Sequence, residues 1–161
     1  MGSPLLKMKK HFKILKHLFD RFYGLSLSDK LLLMEVGVLL AFLRFILKFI
    51  PLNRIYPLLK KNPSKPVYNY KDQLNYTSRI IWAVEKSGKY LLKKKCLAQA
   101  LAVHLLLNKK RIKNELEIGF IRNRNNYSAH AWIKSGDKVL IGDNQRLHLY
   151  FRIPLMQSKV L

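Results

Sequence analysis

At 161 residues and 49% hydrophobic composition, the chain is long enough to bury a real core and too apolar to remain disordered. Its 31 Lys and Arg against 9 Asp and Glu give a net charge of +22, a field that attracts polyanions: nucleic acid, anionic lipid or acidic peptides. The single cysteine excludes an internal disulfide. No secretory pattern opens the chain, so a reducing cytoplasm is the expected compartment. The basic residues are dispersed, and no helix-turn-helix, zinc-finger or RNP pattern organises them, so nucleic acid is not the partner expected.

Taken in order, residues 1–4 read as a loose start. Residues 5–23 place Leu5, Met8, Phe12, Leu15, Phe19 and Phe22 at a helical period with lysines between them, and Gly24 ends the segment. Ser26 or Ser28 can cap a second helix over 29–49, with Asp29 in its first turn. Its longest uncharged run, residues 36–43, is far short of the roughly 20 residues that span a bilayer. This helix therefore reads as buried or interfacial, in contact with protein or a membrane surface. Pro51 and Pro57 interrupt helical structure, and residues 60–66 form the clearest linker. The boundary placed there separates an N-terminal helical region, 1–60, from a domain at 67–161.

In the second region a helix is expected over 71–86, with Leu74, Ile80, Ile81, Trp82 and Val84 in apolar contacts and Trp82 in the core. Another runs from Cys96 to about Leu107 and is apolar nearly all round, which marks it as central. The period then changes. Strands are expected over 116–121, 127–134 and 138–141, with a turn at 123–126. Helices followed by strands predict an α+β domain, its antiparallel sheet packed on the Cys96 helix.

Cys96 follows Lys93, Lys94 and Lys95 and opens a helix, the surroundings in which a thiol acts as a nucleophile. A lone cysteine is also often a small buried hydrophobe. Of the five histidines, His11 and His17 lie in the basic N-terminal segment and His148 near the end. His104 is eight residues from Cys96, about 12 Å along the same helix and on another face, and reads as a core or rim residue. His130 is better placed. If Gly136-Asp137 forms a two-residue type II′ turn, Ser135 pairs with Lys138, Trp132 with Ile141 and His130 with Asp143. Directly opposed side chains lie about 4.5–5.5 Å apart at Cβ, close enough for a carboxylate to hold an imidazole, whereas Asp137 in the turn is too distant. A one-residue slip would send Asp143 to the other face.

The blocks Cys96-Leu97-Ala98-Gln99-Ala100-Leu101, Leu116-Glu117-Ile118-Gly119-Phe120, His130-Ala131-Trp132-Ile133 and Ile141-Gly142-Asp143 together resemble the transglutaminase-like cysteine proteases that remove leader peptides in lasso-peptide biosynthesis. The likeness extends upstream through Ile80-Ile81-Trp82-Ala83 and more loosely to about residue 28. It implies a transglutaminase-like/papain-like core with an N-terminal helical region. Cys96 would be the nucleophile, His130 the general base and then acid, and Asp143 the residue orienting His130. The resemblance also implies a precursor peptide as substrate, and a small leader-binding protein and an ATP-dependent lasso cyclase as partners. The chain itself shows no phosphate-binding loop and no metal-ligand spacing, so no cofactor or metal is expected in it. The helical region before the linker would be a surface for the leader-binding partner. Arg111 stands where the family often has a glycine helix stop. The Cys96 backbone N–H would be the first oxyanion donor, with Gln99 structural and no second donor side chain matched. Transfer of the acyl group to an amine by the same triad, as in transglutaminases, is the alternative activity. A basic protein binding membrane or nucleic acid, with an inert Cys96, is the alternative of another class.

Overall fold

The computed structural model describes residues 24–52, 54–55, 68–91, 96–123 and 126–153. The expected helix over 5–23, the linker at 60–66 and the three lysines before Cys96 lie outside the described residues.

Helix α1 (Leu27–Phe49) begins at Ser26, whose hydroxyl accepts the Asp29 N–H at 3.1 Å and donates to the Asp29 carboxylate at 2.7 Å. This reciprocal cap fixes the start two residues ahead of the expected one. Val36, Leu40 and Leu43, at i, i+4 and i+7, form its buried face. Helix α2 (Tyr70–Leu91) starts where the Asn69 side chain accepts the Asp72 N–H at 2.8 Å. Arg79 of α2 bonds Asp29 at 2.6 Å and Ser28 at 3.1 Å, tying the two helices together at the head of α1. Ile80, Ala83 and Val84 are buried, while Leu74 is exposed because it lies about 120° round the helix from Ile80. The helix continues past the expected end through Gly88, where a side chain would collide with the Gln99 amide of the next helix. Gln99 thus fills the close approach between these helices.

Helix α3 (Cys96–Lys109) buries eight residues on all sides, from Ala98 to Leu107, and packs against α1, α2 and the sheet. Its end is a Schellman motif. Ile112 N–H reaches Leu107 O at 2.9 Å, Arg111 N–H reaches Asn108 O at 3.0 Å, and Arg111 takes φ +54°. The missing glycine is therefore replaced by an arginine in the same left-handed conformation.

Strands β1 (Glu115–Asn123), β2 (Asn126–Ser135), β3 (Lys138–Ile141) and β4 (Phe151–Arg152) form an antiparallel sheet in the order β3-β2-β1-β4. The short β4 and the 3-10 turn Leu147–Leu149 before it were not expected, because two paired residues carry no periodic signal. Leu116, Ile118, Ala131, Ile133 and Ile141 face the helices and share one core with the inner faces of α1, α2 and α3. This is the α+β architecture expected, with α3 central.

Candidate active site

Cys96 is the first residue of α3 and is half-buried against the core. The opening turn of a helix has backbone N–H groups without intrahelical acceptors and carries the positive end of the dipole, a setting suited to developing negative charge.

His130 lies half-buried on β2. Opposite residues are Gly119 for His130 and Glu117 for Trp132, so these four share one face of the pleat, while Ala131 and Ile133 point into the helical core. On that face Trp132 is 1% exposed, and its Nε1 donates to Glu117 Oε2 at 2.7 Å. Glu117 also meets Arg152 at 3.4 Å and Lys134 at 3.9 Å. The His130 ring stacks on Trp132, with centroids 6.1 Å apart and planes 22° apart, and lies 5.7 Å from the Tyr150 ring. Two glycines allow this packing. A Cβ on Gly119 would lie 2.8 Å from Tyr150 Cβ and 2.9 Å from Trp132 Cη2; one on Gly142 would lie 2.6 Å from Ala131 O. Gly142 also holds φ +82°.

The polar anchor of the ring is the Gly142 carbonyl, 2.7 Å from His130 Nε2. A carbonyl only accepts, so Nε2 carries the hydrogen and, in the neutral ring, Nδ1 is left as the base. A backbone group therefore sets the tautomer.

The expected register needs correction at this point. The turn is as anticipated, with Ser135 opposite Lys138 and Gly136 at φ +59°. Beyond Lys134–Val139, however, Ile133 pairs with Ile141, so one step on β2 spans two on β3. The extra residue is Leu140, and the bulge shifts every later pair by one. Ile141 consequently faces Ile133 instead of Trp132, and the His130–Asp143 pairing does not form. β3 ends at Ile141, and Gly142 turns the chain out of the extended path and offers its carbonyl to the ring. Asp143 follows with an exposed side chain. Among the described residues no hydrogen bond joins its carboxylate to His130, nor the Cys96 thiol to the ring.

His104 is buried, with Nδ1 2.7 Å from Asn114 Oδ1 and Nε2 3.1 Å from Asn108 Nδ2. It belongs to the packing where α3 turns into β1. His148 sits in the 3-10 turn, and His11 and His17 lie outside the described residues. Among the described residues no three His, Cys, Asp or Glu side chains gather as a metal site. Sequence reasoning did not anticipate Tyr150, the Glu117–Trp132 bond or the Gly142 carbonyl. The only sign of the last was the glycine inside Ile141-Gly142-Asp143.

A small antiparallel sheet laid on a central helix that opens with the cysteine, and carrying the histidine on its second strand, defines a transglutaminase-like fold. A sequence model of the transglutaminase-like superfamily matches residues 38–155, and the chain belongs to that superfamily, whose members are typically cysteine proteases and acyltransferases. The match runs from the middle of α1 through β4 and includes Cys96, His130 and Asp143. No curated protein and no solved structure matches the chain.

Proposed function

We propose that this chain is the leader peptidase of a lasso-peptide pathway, a cysteine protease that separates leader from core in a ribosomally made precursor. The observation that carries a hydrolytic or acyl-transfer role is the 2.7 Å bond from His130 Nε2 to Gly142 O, which leaves Nδ1 as the proton acceptor. The resemblance of the Cys96, His130 and Asp143 blocks to the leader peptidases supports the narrower reading.

In the proposed reaction, Cys96 and His130, not bonded to each other in this structure, come within reach when the precursor binds. His130 Nδ1 then takes the proton of the Cys96 thiol, and the thiolate sulfur attacks the carbonyl carbon between leader and core. The oxyanion forms beside the opening turn of α3, where the Cys96 N–H is a donor. As the C–N bond breaks, the imidazolium passes its proton to the leaving amine. Water then adds to the thioester, giving its proton to His130, and the carboxylate and thiol are released. Asp143, adjacent to the carbonyl that holds the ring, adds negative charge near the imidazolium and reinforces its orientation. The precursor would be presented by a small leader-binding protein and its core passed to an ATP-dependent lasso cyclase, in the cytoplasm.

The test mixes the chain with a precursor peptide and its leader-binding protein and follows product masses. Wild type is expected to release the leader, and Cys96→Ala to leave the precursor intact. Full cleavage by Cys96→Ala would exclude the mechanism. An amide adduct with an added amine, in place of a free carboxylate, would make the protein an acyltransferase instead.

A further inference from the structure

Helix α1 has two apolar faces. The inner one enters the core through Val36, Leu40 and Leu43. The outer one carries Leu31, Met34, Val38, Phe42, Phe45 and Phe49, each 54–67% exposed. At helical spacing these six fall within an arc of about 80°, opposite the buried face. Single exposed apolar residues are ordinary on a protein surface, but a contiguous stripe running most of a helix marks a surface with a partner.

We propose that this stripe seats the protein on an anionic lipid bilayer, with α1 lying in the plane of the headgroups. The charge around the stripe selects that occupant. Lys30, Arg44 and Lys48 lie toward one margin by the helical period, and the Lys48 ammonium lies 5.6 Å from the centre of the Phe49 ring. The two acids of α1 are both engaged by cations from elsewhere in the fold, Asp29 by Arg79 and Glu35 by Lys109, each at 2.6 Å. The helix therefore offers an approaching anionic surface no unneutralised carboxylate. A second copy of the chain would bring another +22 against the first, which opposes a symmetric pairing through this face. Anionic lipid instead meets both the apolar stripe and the charge, as in helices that lie along a membrane with cations beside an apolar face. Among the described residues no helix is long and apolar enough to cross a membrane, so the seat is a surface one. It goes beyond the peptidase reading and does not depend on it.

The experiment is cosedimentation of the full chain with vesicles of phosphatidylglycerol in phosphatidylcholine, against phosphatidylcholine alone, at low and high salt. Binding is expected to the anionic vesicles only, weakened by salt and reduced at least tenfold in the double variant Phe42→Ser/Phe45→Ser. Both side chains are exposed, so the variant should melt as the wild type does, which a thermal scan checks. A Phe42→Trp variant should gain fluorescence that brominated acyl chains quench. Absence of binding, or binding undiminished in the double variant, overturns the proposal. So does shielding of the Phe42→Trp indole without lipid. A dimer lost in the double variant would then identify a second copy as the occupant, and a monomer would point to residues 1–23.

Discussion

The ring of His130 hangs from the backbone of Gly142, Nε2 to carbonyl oxygen, at 2.7 Å. A side-chain carboxylate can be removed by one substitution, but a carbonyl cannot. In the proposed mechanism the carbonyl sets the tautomer and Asp143 supplies negative charge, so the two proposed roles can be tested apart. In triads where a carboxylate alone fixes the tautomer, its loss costs about 10⁴ in rate. Here Asp143→Ala should cost no more than about 10², in the range of an outer partner. With His130 as the proposed general base, His130→Ala should lose that contribution, about 10²–10⁴. Rates of leader release for the two variants, with nitrogen NMR of the His130 ring in Asp143→Ala, would check this. A ring switched to the Nδ1–H tautomer in that variant would reject the carbonyl as the element that sets it.

Gly142 should tolerate no side chain. Its positive φ costs an L-residue about 1–2 kcal/mol, and the Ala131 oxygen and Trp132 Cβ, 2.6 and 2.9 Å from a new Cβ, add a packing penalty of about 1–3 kcal/mol. Gly136 is the control. It has φ +59° with nothing within 4 Å of a Cβ, so Gly136→Ala should cost only the backbone portion, about 1–2 kcal/mol. Urea unfolding of both variants measures the difference, and equal destabilisation would contradict this account. Gly142→Ala should also depress catalysis, because its carbonyl must move.

Much of the framework was legible in the residues. The all-round apolar run after Cys96 marked the central helix, and the run Lys138-Val139-Leu140-Ile141 marked β3 to the residue. What escaped was non-local. The bulge at Leu140 reflects how Ile141 and Ile133 both reach the core, a packing demand that turn counting cannot detect. Tyr150 comes to His130 only because β4 pairs with the far edge of β1, and two residues give no pattern to read. The Gly142 carbonyl was hidden for a different reason, since backbone groups are the same at every position. The outer stripe of α1 was visible as apolar residues, but a sequence does not say which of two apolar faces is the inner one.

Arg111 holds φ +54° at the left-handed position of the α3 stop, and its backbone makes the bond to Asn108 O. A β-carbon is disfavoured there by about 1–2 kcal/mol, offset in part by the greater freedom glycine has in the unfolded chain. Arg111→Gly should therefore stabilise the fold by about 0.5–1 kcal/mol, raising Tm by roughly 1–4 °C for a chain of this size. Arg111 is exposed, so no packing is lost. Calorimetry decides, and a lowered Tm would mean that the guanidinium contributes more than the backbone strain removes.

The cap of α1 should make stability depend on pH in the acid range. The Asp29 carboxyl is held below its ordinary value of 3.8, first by the Ser26 hydroxyl and then by the Arg79 guanidinium, both bonded to its ionised form. With the folded value below the unfolded one, the unfolded chain binds its proton first as pH falls. The stabilisation is therefore complete above the usual aspartate range and disappears as pH drops through 3.8 and below. Because the pair is partly exposed, salt should weaken the effect. Asp29→Asn keeps the shape but cannot ionise, so the Tm gap between wild type and this variant should be widest near neutrality and close toward pH 3. Arg79→Gln should narrow the gap without abolishing it, since the Ser26 bond persists. A gap constant from neutral to acid pH would show that the cap acts through shape alone.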